Sequence, residues 1–141
     1  MRRALIFLAL LASTASAAQE YPPYPDGNAL IASSGNVANA VATATLPATA
    51  GKINYLTSVF ITAGGATAAA VVTCTITGVK GGTITFIFGA PLAVGTMAAP
   101  LSMEFPASLP ASAVNTAIVV SCPALGTGNT RMAIIVTGYM K

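Results

Sequence analysis

Short segments in which apolar residues alternate with threonine or serine recur along this chain. In residues 71–77, Val72, Cys74 and Ile76 alternate with Val71 and three threonines. A period of two places the apolar side chains on one face of a strand and the hydroxyls on the other. Five further segments show this pattern: residues 52–62, 83–88, 101–105, 117–122 and 132–137. The alternation predicts half-buried antiparallel strands.

Glycine pairs and prolines separate these segments and predict the turns between them. In residues 52–62 the alternation predicts one common face, formed by Ile53, Tyr55, Val59 and Ile61. Residues 36–48 have both helix-like spacing and strand-favouring threonines, and we interpret them as the first strand. The sequence therefore predicts an all-β fold over residues 33–141. We expect a single antiparallel β-sandwich, jelly-roll-like, with about seven or eight strands.

The first 17 residues have the pattern of a signal peptide. Arg2 and Arg3 precede a short uncharged apolar run, and small residues follow it. This order predicts cleavage after Ala17, with cleavage after Ala18 as the alternative. A retained anchor would need about 20 apolar residues, and this run is shorter. We therefore expect a protein exported to the periplasm, the cell surface or the medium, with no membrane association after cleavage.

Residues 18–32 form a separate segment that is rich in proline and tyrosine. Three prolines within four positions favour an extended arm. Tyr21 and Tyr24 are candidate contact residues if this arm docks on a neighbouring subunit. The alternative is a flexible export spacer, because terminal segments are poorly ordered unless they are held in place.

Charged residues are scarce, with 6 Lys+Arg and 3 Asp+Glu among 141 residues. A nucleic-acid interface needs clustered cations, and the four beyond the signal peptide are scattered. Monomeric sheet proteins commonly protect their edges with charge, above all with lysine. Strand faces of threonine, alanine and serine therefore indicate a surface covered by other copies or by a larger protein assembly. The alternative is a secreted monomer kept in solution by its hydroxyls.

The residue types needed for catalysis are missing or isolated. The sequence has no histidine, so neither a hydroxyl nor a thiol nucleophile has its usual base. The acidic residues are Glu20, Asp26 and Glu104, and their positions predict separate solvated charges. We expect no enzymatic activity, no cofactor and no metal site.

Cys74 and Cys122 are the two cysteines of the chain, and both belong to the apolar faces of predicted strands. In an exported protein an even cysteine count indicates a disulfide. The alternative is a pair of buried thiols that never meet, because an inward orientation does not bring two Cα atoms within about 7 Å.

Residues 33–141 resemble a group of small β-rich proteins encoded by tailed phages and prophages. The resemblance rests on turn and strand motifs: SGNVANA at 34–40, AGK at 50–52 before YLT at 55–57, GATA at 65–68, PASAVNT at 110–116 and PALGTGNT at 123–130. It implies a virion-associated structural role, in decoration of a capsid or a tail. No catalytic residues come with it.

These observations favour a non-enzymatic structural or assembly protein that packs its β surfaces in an oligomer or on a larger particle. The alternative is a monomeric exported module that recognises a surface ligand or a glycan. In that case loop residues such as Tyr55, together with the arm tyrosines Tyr21 and Tyr24, would make the contacts.

Overall fold

The computed structural model describes residues 27–141, which contain eight β-strands and no helix. None of these residues belongs to a helix long and apolar enough to cross a membrane. The strands are β1 (Asn28–Ser33), β2 (Ala42–Leu46), β3 (Asn54–Ala63), β4 (Ala70–Thr77), β5 (Ile84–Ala90), β6 (Leu101–Pro110), β7 (Ile118–Cys122) and β8 (Met132–Met140).

The strands form two four-stranded antiparallel sheets. Sheet A has the order β1-β8-β3-β6, and sheet B has the order β2-β7-β4-β5. Eight strands distributed in this way over two sheets form a jelly roll. The predicted all-β sandwich with a jelly-roll-like arrangement is therefore confirmed.

The core lies between the inner faces of the two sheets. Strands β2 and β7 alternate strictly between buried and more exposed positions, as the period-two pattern predicts. The largest fully buried side chains include Leu56 and Ile61 from sheet A and Ile76 and Ile118 from sheet B. The outer positions of β2 and β7 carry mostly threonine and serine. The same period-two alternation therefore determines which residues form the core and which form the surface.

Strand β3 departs from the predicted phase. Its register with both neighbours shifts between Leu56 and Ser58, which marks a β-bulge. An extra residue shifts the alternation by one position, so residues that follow the bulge lie on the face opposite to the one that a regular strand would give them. Tyr55 therefore lies on the outer face, whereas Val59 and Ile61 are buried. The prediction of one face shared by these three residues is wrong for this reason.

The sandwich begins earlier than the sequence indicates. Residues 28–33 form β1, which pairs with β8 along its whole length. The last part of the predicted arm is thus an edge strand of sheet A. Within residues 36–48 the strand covers only Ala42–Leu46, and it is the second strand of the fold. The predicted signal peptide and the arm up to residue 26 lie outside the described residues.

Candidate interaction surface

Within residues 27–141, no group of three or more histidine, cysteine, aspartate or glutamate side chains is placed to hold a metal ion. The side chains on the outer surfaces show what the described residues present to a partner. Four regions matter: the outer face of each sheet and the two ends of the sandwich.

The outer face of sheet B carries many threonine and serine side chains, and we call it the threonine face. One row crosses all four strands, because Thr43 pairs with Ser121, Ser121 with Thr75, and Thr75 with Thr85. The Thr43 and Ser121 hydroxyls lie 3.2 Å apart and share a hydrogen bond. Thr45, Thr73 and Thr77 extend this face. Val71 and Ile87 stand on the same face and are largely exposed, so the threonine face combines hydroxyl groups with apolar side chains and has no ionised group.

The outer face of sheet A combines an aromatic pair with a hydroxyl cluster. The rings of Tyr55 and Tyr139 stack with centroids 4.8 Å apart and planes 5° from parallel, because these residues are directly opposite on β3 and β8. The bulge brings two neighbouring residues of β3 beside Thr137. The Thr137 hydroxyl lies 2.9 Å from that of Thr57 and 2.7 Å from that of Ser58.

Apolar side chains also stand on the outer face of sheet A. Ile135 of β8 is directly opposite Phe60 of β3, and both are partly exposed. Ile31 on the edge strand β1 is largely exposed. Sheet A thus differs from sheet B in carrying aromatic side chains on its outer face, in addition to apolar residues and hydroxyl groups.

Charged side chains are almost excluded from the sheets. Glu104 on the edge strand β6 is the one Asp, Glu, Lys or Arg residue in the eight strands. Lys52 and Lys80 lie in the loops 47–53 and 78–83, at the end of the sandwich where Lys141 follows β8. Backbone hydrogen bonds join these loops to residues 110–117. We call this region the lysine end.

The opposite end is formed by the loops 34–41, 64–69, 91–100 and 123–131, and we call it the apolar end. Leu92, Val94 and Met97 of the loop 91–100 are all more than half exposed. Isolated bridges join this loop to residues 64–66. A Cβ atom at Gly65 would collide with the carbonyl oxygens of Pro91 and Ala93, so this close approach requires glycine.

The two cysteines form a disulfide between adjacent strands of sheet B. Cys74 lies on β4 and Cys122 at the end of β7, and both are fully buried. Their Cα atoms are 4.3 Å apart, as expected for directly opposite residues of a non-hydrogen-bonded antiparallel pair. The bonded alternative is therefore confirmed.

The other residues singled out in the sequence have different outcomes. Tyr55 is half-buried within a strand and does not belong to a loop. Tyr21, Tyr24, Ala17 and Ala18 lie outside the described residues, and their roles stay predictions. Sequence reasoning missed the exposed apolar loop 91–100, although its run of apolar residues without alternation was a usable signal.

In comparisons with known proteins, the chain matches no family model, no curated protein and no solved structure. A jelly roll alone does not decide between functions, since viral capsid domains and lectins both use it. The functional interpretation therefore depends on the surfaces described above.

Proposed function

We propose that this protein is a non-enzymatic structural or assembly protein, exported or virion-associated, that packs its β surfaces in an oligomer or on a larger particle. The observation that carries the proposal is the single charged residue, Glu104, in eight strands. Charge on strands is the usual means of preventing sheet proteins from associating. Its near absence removes one of the main barriers to association of copies.

The disulfide supports the exported form of this proposal. Disulfides persist in oxidising compartments and on virion and cell surfaces, and they are rare where thiols are kept reduced. A buried Cys74–Cys122 bond fits a protein that works in such a place. The resemblance to phage proteins supports a phage particle as the larger assembly.

Light scattering of the full chain at low and high salt tests the proposal. We expect a mass that is a multiple of the monomer and unchanged in about 1 M salt, because salt screens contacts between charges and leaves uncharged surfaces associated. The control variant Lys52→Ala with Lys80→Ala changes two of the exposed cations and should leave that mass unchanged. A monomer at all concentrations would contradict the proposal.

The second candidate, a monomeric binding module, is favoured by one observation. The Tyr139 hydroxyl lies 3.1 Å from that of Ser108, next to the stacked Tyr55 ring. Aromatic rings beside hydroxyl groups suit sugar recognition, because they combine an apolar surface with hydrogen-bonding groups. A glycan screen with Tyr139→Ala separates the two functions: the module would lose binding while monomeric, and the assembly protein would show no binding to lose.

A further inference from the structure

We infer that the edge strand β5 pairs with the β5 strand of a second copy, so that two copies share one continuous eight-stranded sheet. This inference rests on the proposed function and names the surface and the partner through which assembly begins. It arises from a comparison of the four edge strands of the sandwich: β1 and β6 in sheet A, and β2 and β5 in sheet B.

Three of these edges have features that limit pairing. Strand β6 carries Glu104 and also Pro106 and Pro110, and both charge and proline discourage a further strand. Strand β2 has five residues and is followed by Pro47. Strands β1 and β2 also pack against each other and against β8, so these two edges lie side by side and a strand added to one would meet the other.

Strand β5 is followed by Pro91 as β2 is followed by Pro47, but it is longer than β2 and lacks the charge and the internal prolines of β6. It runs for seven residues, ITFIFGA, without charge or proline. Its main contacts are with β4 alone. In the described part of the chain, residues 84–90 make no backbone hydrogen bond outside the pairing with β4. The outward N–H and C=O groups of β5 are therefore free to pair with a strand, as in β-augmentation.

Exposed apolar side chains concentrate beside this edge. Ile87, at the centre of β5, is 71% exposed. Val71 of β4 lies diagonally beside it, because Val71 pairs with Gly89 and Thr73 pairs with Ile87. Leu92, Val94 and Met97 follow in the next loop. A sheet edge flanked by exposed apolar residues indicates a contact that the isolated chain does not make.

The sequence of β5 favours a second copy as the occupant. An antiparallel pair centred on Ile87 puts Ile87 against Ile87 on the outer face, and Phe86 against Phe88 on the core side. Apolar and aromatic cross-strand pairs stabilise a sheet, and an uncharged strand meets no like charge in its own copy. Such a contact is isologous and closes as a dimer. It would also join the threonine faces of two copies.

Equilibrium sedimentation of the full chain tests the inference with two variants. Ile87→Lys puts two like charges directly opposite at the dimer axis, and we expect the dissociation constant to rise at least about tenfold. Val71→Lys is the matched control, since Val71 is 74% exposed on the same face but belongs to an inner strand. It should change the constant less than about threefold. Circular dichroism would verify that both variants fold.

Cysteine substitution gives a second and independent test. Directly opposite residues of an antiparallel pair have Cα atoms about 4.5–5.5 Å apart, which suits a disulfide. We expect Ile87→Cys to form a covalent dimer on mild oxidation and Val71→Cys to remain monomeric under denaturing, non-reducing conditions. An oligomer that Val71→Lys disrupts as strongly as Ile87→Lys, with no covalent dimer, would overturn β5 pairing and leave the proposed function intact. A monomeric wild type would overturn both.

Discussion

At each end of the sandwich one buried asparagine ties the loops together, yet the two ends expose different side chains. At the lysine end the Asn54 amide nitrogen lies within hydrogen-bonding distance of the carbonyl oxygens of Leu46, Pro47 and Thr116, at 3.3, 2.9 and 3.1 Å. At the apolar end the Asn129 amide donates to the carbonyls of Gly64 and Arg131, at 2.7 and 3.0 Å.

The two asparagines differ in how they use their side-chain oxygen. The Asn129 oxygen accepts a hydrogen bond from the backbone N–H of Asn39 at 3.2 Å. The Asn54 oxygen is buried and has no partner among the described residues. Both side chains fasten backbone groups, so we expect the two ends to close without help from their exposed side chains. On this expectation the exposed lysines at one end and the exposed apolar residues at the other serve contacts beyond the chain.

Removal of the disulfide should give the largest effect, because it takes a covalent tie from the apolar end. Cys122 immediately precedes the loop 123–131, and the bond spans a sequence separation of 48 residues. In the chain-entropy description a loop of this length stabilises the fold by about 4 kcal/mol. We expect Cys74→Ala with Cys122→Ala to lower the free energy of unfolding in urea by about that amount.

Reductant provides the control for this comparison. It should destabilise the wild type to the same extent and leave the double alanine variant unchanged. A loss below about 1 kcal/mol would mean that sheet B is held chiefly by packing.

The next largest effect should separate the two asparagines. Asn54→Asp puts a carboxylate against three carbonyl oxygens, whereas Asn129→Asp keeps the acceptor for the Asn39 N–H. Unsatisfied buried polar groups cost about 1–3 kcal/mol each, and charged groups cost more. We expect both changes to destabilise the fold, with Asn54→Asp worse by at least about 1 kcal/mol in urea unfolding at neutral pH.

Asn115 at the lysine end offers a matched control. It is exposed, and its side-chain oxygen accepts from the Gly51 N–H at 2.6 Å, a bond that aspartate retains. Asn115→Asp should change stability by less than about 0.5 kcal/mol. Equal losses at Asn54 and Asn129 would contradict this prediction, because they would mean that the Asn39 N–H does not offset the new carboxylate at Asn129.

Much of this fold could be predicted from the sequence because alternation records burial directly. The inward orientation of Cys74 and Cys122 followed from their apolar neighbours, and so did the pairing of threonine with the outer faces. The bulge in β3 could not be predicted, because one extra residue is decided by pairing with β6 and β8. For this reason the alternation predicts the wrong face for Tyr55.

Long-range pairing explains the other differences. Strand β1 is set by β8, which lies about a hundred residues away, and its own short sequence NALIAS signals no clear alternation. The buried roles of Asn54 and Asn129 depend on carbonyl groups brought in from distant loops. A local pattern cannot show such partners. From the sequence alone, an asparagine near a strand end is interpreted as a turn residue.

The smallest expected effect tests whether the apolar end is a contact surface or part of the packing. Leu92 is 64% exposed, and Leu92→Ser should change the free energy of unfolding by less than about 0.5 kcal/mol. Leu125 at the same end is buried, and Leu125→Ala should cost about 2–5 kcal/mol. Urea unfolding of both variants provides the measurement. A Leu92 loss close to that of Leu125 would mean that loop 91–100 closes through its leucine, and the exposed residues there would then serve folding instead of contact.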